Sequence, residues 1–308
     1  MIYTWTLNPA FDKIGQVDDV QLNKINRLTR MQTAAGGKGI LVSRGIKALN
    51  HDSTAVCFLG GSSGNLVEML LRREEMHYHT INILGNTRTN LKIIGENGIT
   101  EFNEPGPFVL SDEVEALYDY FRSSLEYRSI LVISGSIPKG CGRDVYVNLI
   151  KIAKENDAIV FLDTDYDNMI PTLPAHPNVV KIRSKTLGRF FNVDTTLTEE
   201  EIEKYGREFI DQYCDMICVS TEKDGIYLVT KNKMMHCLPM DLDMKCRIGV
   251  GDAFVAGFVV GLDNGMYDEE ILRLAGASYA ATSQRANGLV RDADEVYQYM
   301  DQIQIVTK

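Results

Sequence analysis

The sequence predicts an α/β protein: a mostly parallel sheet covered by helices on both faces, with a second, smaller β-sheet set apart from it. Three observations carry this prediction. From Ser111 onward, helical stretches alternate with the unbroken apolar runs Ile130-Leu-Val-Ile133, Ala158-Ile-Val-Phe-Leu162 and Met216-Ile-Cys-Val219. Strands that are apolar at every position are covered on both faces, as parallel sheets are. Residues 13–17, 27–33 and 87–103 read instead as strands with no helix between them, an excursion from the main sheet. Finally, a glycine turn opens the proline-free apolar stretch 251–262, which reads as a helix buried nearly all round.

Taken in order, residues 2–6 form a short strand ending at Leu7-Asn8-Pro9-Ala10-Phe11-Asp12. Asn-Pro forms turns, so Asn8 and Asp12 are expected where a core strand leaves the sheet, a position at which α/β proteins hold ligands. A solvated loop carboxylate is the plain alternative for Asp12. Ala35-Gly-Gly-Lys-Gly39 opens a helix through Ile40, Leu41, Ile46 and Leu49. It is not a P-loop, because too few residues intervene and Lys38 precedes Gly rather than Ser or Thr. Its glycines suggest close backbone approach to a polar ligand, and Leu41 faces either core or pocket. Thr54–Leu59 is a strand, followed by Gly60-Gly-Ser-Ser-Gly64 and a helix to about Glu75; dinucleotide-fingerprint spacing is absent there.

Alternating segments flank Glu96-Asn97-Gly98, so 87–103 is a hairpin closed by a tight primed turn. With 13–33 it makes a small sheet suited to act as a lid that excludes water. Helices follow at 111–126, up to about Glu155, and at 198–213, with a short strand at Val179–Lys181. Gly225–Val229 and Lys233–Leu238 read as an antiparallel pair at one edge. The helices at 251–262 and 268–284 close the core. The expected division places 1–12, 34–86 and 106–308 in the α/β core, and 13–33 and 87–105 in the lid.

Composition narrows the function. The chain has 308 residues, 44% hydrophobic and 24% charged, with a net charge of −10. That balance argues against nucleic-acid or anionic-membrane partners, which need basic surface, but not against a phosphorylated ligand in a locally basic pocket. The first residues carry neither a basic region nor a long apolar run, and no stretch reaches the length of a membrane span, so a cytoplasmic location is expected. Cys57, Cys141, Cys214, Cys218, Cys237 and Cys246 are scattered without a C-x-x-C pair, and no zinc set is completed.

The chemistry concentrates in Gly249-Val-Gly-Asp252. A glycine turn at a helix start points free N–H groups and the positive dipole end at one spot, an anion site. Asp252 has two readings: the cap of that helix, or a base that takes a hydroxyl proton while the N–H groups stabilise a transferring phosphoryl group. Arg88, at the lid's edge, has the geometry to grip a phosphate bidentately, though a lone arginine is commonly a surface residue.

Seven motifs in register then resemble the ribokinase-like (PfkB) carbohydrate kinases, on the branch of tagatose-6-phosphate kinase and 1-phosphofructokinase. They are Thr6-Leu-Asn-Pro-Ala-Phe-Asp12, Gly36-Gly-Lys-Gly39, Gly60-Gly61, Thr87-Arg88, Asn103-Glu-Pro-Gly106, Ser134-Gly-Ser-Ile-Pro138 and Gly249-Val-Gly-Asp252. The resemblance implies a ribokinase-like three-layer core and phosphorylation of a sugar phosphate by ATP with Mg2+. Asp252 would be the base, and the N–H groups of Gly249, Val250 and Gly251 the anion hole. Asp12, Gly37 and Lys38 would bind the sugar, with Arg88, Ser136 and Lys24 or Arg27 near its phosphate. ATP would lie across the loop after Val219 (Ser220, Glu222, Gly225), the strand carrying Lys181 and Arg183, and Asn287-Gly288. No protein metal ligand is assigned, and family habit suggests a homodimer through the lid.

Several positions depart from the family pattern. Leu41 stands for Asn; Lys181-Ile-Arg-Ser-Lys-Thr186 stands for K-P-N-x-x-E, putting Arg183 and Thr186 where Asn and Glu handle magnesium and phosphate. Asp163-Thr-Asp-Tyr166 replaces D-x-S-G, Ser220-Thr-Glu222 replaces S-L-G, and Val250 replaces an alanine. These departures cluster on the nucleotide side and define the alternative: a weak or inactive paralogue that binds a sugar phosphate as a sensor or regulatory protein.

Overall fold

The computed structural model describes residues 1–96, 98–245, 247–285, 290 and 292–308. The chain begins with β1 (Ile2–Thr6), β2 (Ala10–Gln16), β3 (Arg30–Gly36) and α1 (Lys38–Ala48). It continues through β4 (Ser53–Leu59), α2 (Gly61–Arg73), β5 (Tyr78–Asn82), β6 (Arg88–Gly95), β7 (Gly98–Asn103) and α3 (Ser111–Ser124). Next come β8 (Ile130–Ser134), α4 (Val145–Glu155), β9 (Ile159–Asp163), α5 (Tyr166–Thr172), β10 (Val179–Arg183), α6 (Ser184–Phe190) and α7 (Glu199–Tyr213). The last elements are β11 (Met216–Ser220), β12 (Ile226–Thr230), β13 (Met234–Cys237), α8 (Val250–Asp263), α9 (Asp268–Ser283), α10 (Asp294–Met300) and β14 (Ile305–Thr307).

Ten strands form the main sheet in the order β14-β13-β12-β11-β10-β9-β8-β1-β4-β5. β11 through β5 run parallel, and β12, β13 and β14 add an antiparallel flank. The small sheet runs β3-β2-β6-β7, with β2 and β6 parallel and the outer pairs antiparallel. It starts at Ala10, not 13, so Asp12 lies inside a strand of this small sheet rather than in a loop leaving the core.

Strand alternation divides the interior into two layers. Tyr3 and Trp5 point to the side of α3, α4 and α7, where Trp5 meets Phe58 and Phe121 edge-on at 5.1 and 5.8 Å. Ile2 points to the other side, among Val42 and Ile46 of α1 and Phe254 and Phe258 of α8. The small residues of α8 allow close helix packing: a Cβ on Gly257 would stand 2.6 Å from Ser278 Oγ, and one on Gly45 2.7 Å from Ala256 Cβ. α5, α6, α10 and β14 escape the sequence reading. α5 contains Pro171, a residue that usually ends helices, and is started by Asp165, whose side chain accepts from Asn168 N. None of the described helices is long and apolar enough to cross a membrane.

Candidate active site

The last residues of the parallel strands lie side by side. Thr6 of β1 pairs with Ser134 of β8, Ser134 with Asp163 of β9, and Arg183 of β10 with Ser220 of β11. Above this row a cleft of about 1060 Å³ opens, at the sheet edge where α/β folds hold ligands. One arm is apolar, with Ile226, Leu238, Pro239, Met240 and Tyr279. The other is polar. Among its lining residues the cleft has seven cations (Lys38, Arg88, Lys181, Arg183, Arg189, Lys223, Arg247) against five carboxylates (Asp163, Asp165, Asp167, Glu222, Asp252). An acidic protein thus carries a net-basic pocket, the condition for an anionic ligand.

Gly249, Val250, Gly251 and Asp252 all line this cleft. Gly249 takes the left-handed conformation (φ 75°) and is itself the cap of α8, with no side-chain cap bond, so Asp252 is not a cap. It stands in the first helical turn, 7% exposed. Burial raises its pKa from 3.8 to about 6; Lys38 and Lys181 oppose the rise and Asp163 adds to it. Asp163 is shifted the other way: burial pushes it up, but Lys181 and Lys38 outweigh that and hold it below the ordinary value. Both lysines reach the same oxygen, Asp163 Oδ2, at 3.2 Å. Lys181 Nζ also lies 3.4 Å from where a Cβ on Gly251 would be, so its charge sits against the turn.

Of the residues expected to meet the sugar, Gly37, Lys38, Arg88 and Ser136 line the cleft. Arg88 Nη2 donates to Asn8 O at 2.9 Å and Nη1 to Glu104 O at 3.2 Å, while Asn8 Nδ2 reaches Ser136 Oγ at 3.2 Å. Ser134 Oγ and Arg88 Nε are buried without a hydrogen-bond partner among the described residues. Asp12 does not line the cleft: its oxygens take Lys92 Nζ at 2.8 Å and Asn90 Nδ2 at 2.9 Å, and a Cβ on Gly36 would stand 2.5 Å from its carboxyl. Lys24 and Arg27 lie exposed between β2 and β3, and neither is among the residues that line the cleft. Leu41 is half-buried behind the turn, beside Gly249 and Ala253.

Of the residues expected to meet the nucleotide, Lys181, Arg183, Ser220, Glu222 and Gly225 line the cleft; Asn287 and Gly288 fall outside the described residues. Ser220 Oγ donates to Ile182 O at 3.3 Å, and Gly225 (φ 79°) folds where a Cβ would strike Cys237 O at 2.2 Å. Arg189, held over the Tyr166 ring at 3.8 Å, joins them on α6 and escapes the sequence reading, as do Lys223, Arg247 and Tyr279. Asp163 was legible as the residue ending an apolar parallel strand.

A buried carboxylate of raised pKa, a glycine turn with an ammonium against it, and a net-basic cleft at the strand ends meet on a three-layer α/β scaffold, an arrangement suited to an anionic ligand. The model for pfkB family carbohydrate kinases matches residues 6–291, and the chain belongs to that family and is a phosphotransferase of its type. It is 32% identical over 284 residues to a 1-phosphofructokinase of Bacillus subtilis, covering 92% of each chain. It is 28% identical over 310 residues to a tagatose-6-phosphate kinase of Staphylococcus epidermidis, covering 99% of this chain and 100% of that one. In structure it superposes on phosphofructokinase-2 of Escherichia coli, solved with substrates and products, with a TM-score of 0.92 at 25% identity, covering 98% and 99% of the two chains.

Proposed function

We propose that this protein phosphorylates a ketohexose phosphate, of the fructose or tagatose type, with ATP as donor. The observation that carries the reading is Asp252: a buried carboxylate of raised pKa in the turn where N–H groups and Lys181 converge. Asp252 takes the proton of the acceptor hydroxyl as its oxygen bonds to the terminal phosphorus of ATP. The bond to the bridging oxygen breaks, and ADP leaves with those electrons. The N–H groups of Gly249, Val250 and Gly251 and the Lys181 ammonium stabilise charge on the transferring group. The apolar arm suits an adenine ring, and Arg183, Arg189 and Lys223 the phosphates.

Among the described residues, no three His, Cys, Asp or Glu side chains are placed to hold a metal ion. Magnesium would enter with ATP, where its charge would offset that of the phosphates. The test is ADP release with Mg-ATP over a panel of sugars and sugar phosphates. Turnover that depends on a phosphorylated ketohexose supports the kinase. Absent turnover, with a sugar phosphate still raising Tm, selects the binding protein, the reading that Arg183, Thr186 and Glu222 favour.

Arg88 would hold the phosphate already on the sugar. Arg88→Lys removes the forked donor that two carbonyls orient, and is expected to raise the sugar-phosphate KM at least about tenfold, the cost of one charge-assisted hydrogen bond, with a smaller change in kcat. The lid would pair with a second copy through Leu22, Ile25, Ile99 and Phe102, all exposed. Phe102→Asp is then expected to shift sedimentation from dimer to monomer.

A further inference from the structure

We propose that Asp163 is a positioning residue for phosphoryl transfer: its buried carboxylate gathers Lys38 and Lys181 onto one oxygen and so holds two ammonium groups beside Asp252 and the glycine turn. The inference rests on the kinase reading and adds to it a residue with no chemical step of its own.

The geometry comes from three separate elements. Asp163 ends β9 and is 6% exposed. Lys181 reaches it from within β10, the neighbouring strand, and Lys38 from the first turn of α1, on the far side of Ser134. Each Nζ lies 3.2 Å from Oδ2. A lysine side chain gives up many rotamers when it is held in place, and two ammonium groups brought together repel. A shared carboxylate removes both obstacles before substrate arrives, so the charges need not reorganise during transfer.

Asp163 is also unsuited to be the base itself, because the two lysines favour its ionised form, whereas Asp252 is shifted toward holding a proton. Two carboxylates pushed apart in this way divide their roles. The charged groups acting on Asp252 are Lys38, Asp163, Lys181 and Lys92; Arg183 acts on Lys38, and Asp163 bears on the buried Tyr146 and Cys218.

The test is Asp163→Asn, which keeps the shape and removes the charge. Expected is a fall in kcat of about 100-fold, the scale of misplaced reacting groups, without a rise in the KM for Mg-ATP, since the site becomes more positive. The acid limb of the kcat profile should move to lower pH, because Asp252 loses a neighbouring negative charge. In a Lys38→Met, Lys181→Met background, adding Asp163→Asn should cost little more, the mark of groups acting as a unit.

A variant as active as the wild type, an unmoved acid limb, or a full additional loss in that background overturns the proposal. Should Asp163→Asn fold poorly with two lysines unpaired, Asp163→Glu keeps the charge but displaces it by one methylene; it is expected to lose kcat, and wild-type kcat in it overturns the proposal. If the wild type releases no ADP with any sugar, the kinase reading fails separately. The positioning is then read by carbon NMR titration of the aspartate carboxyls, Asp252 being identified by its loss in Asp252→Asn: a lower Asp252 pKa in Asp163→Asn supports the proposal, and an unmoved one overturns it.

Discussion

Asp252→Asn is expected to lower kcat about 10³-fold, within the range for a lost general base, while making the folded protein more stable at pH 8. The two effects share one cause. Burial lifts the Asp252 pKa from 3.8 to about 6, a displacement of about 3 kcal/mol between folded and unfolded chains. Between those values the folded state keeps a proton that the unfolded state has released. Stability therefore falls as pH rises through this window and stays lowered above it. Asparagine escapes that penalty. Its Tm should exceed the wild type's by about 5 °C at pH 8 for a chain of this size, and the gain should vanish below pH 3.8. A variant that loses activity without gaining stability at high pH would mean that Asp252 is not held as an unfavourable buried carboxylate. In the wild type, kcat should decline as pH falls below 6. A sugar phosphate titrates near the same pH, so the stability difference assigns the group more firmly than the rate profile does.

The parallel half of the fold was readable because its strands are apolar at every residue, and the glycine-turn helix because α8 is buried on nearly every side. Those are statements about burial, which sequence records directly. The short elements α5 and α6 were not readable: seven residues each give too little periodicity, and Pro171 points away from a helix. The site divides in the same way. Asp252, Gly251, Lys38 and Arg88 all line the cleft, and each belongs to a local motif. The resemblance places Asp12 with the sugar; what no local pattern shows is that Lys92, eighty positions away on another strand of the small sheet, donates to its carboxylate. Asp163 reads locally only as the end of an apolar strand; its meaning comes from β10 and α1 delivering lysines to the same oxygen. Long-range pairing of charged groups is what a linear reading lacks.

Gly39→Ala is expected to destabilise the protein by about 3 kcal/mol, the upper end for overpacking in a rigid core, seen as a lower urea midpoint at unchanged slope. The glycines around Lys38 invite the view that a ligand's approach requires them, but the fold alone accounts for them. A Cβ on Gly39 would lie 2.5 Å from both Trp5 O and Thr6 Oγ1, and one on Gly37, whose φ is 128°, 2.5 Å from Thr6 Cγ2. The start of α1 is thus pressed onto the end of the central strand, where Ile40 N donates to Thr6 Oγ1 at 3.1 Å. β1 cannot retreat, because β4 and β8 hydrogen-bond to it on both sides. The strain must therefore fall on the first turn of α1, which carries Lys38, so the same variant should lose turnover beyond its loss of stability. Gly95→Ala is the control: its nearest neighbour would be 3.6 Å away, and neutral stability is expected. If Gly39→Ala matched the wild type in midpoint and turnover, the contact between α1 and β1 would not be what fixes Lys38 over the cleft.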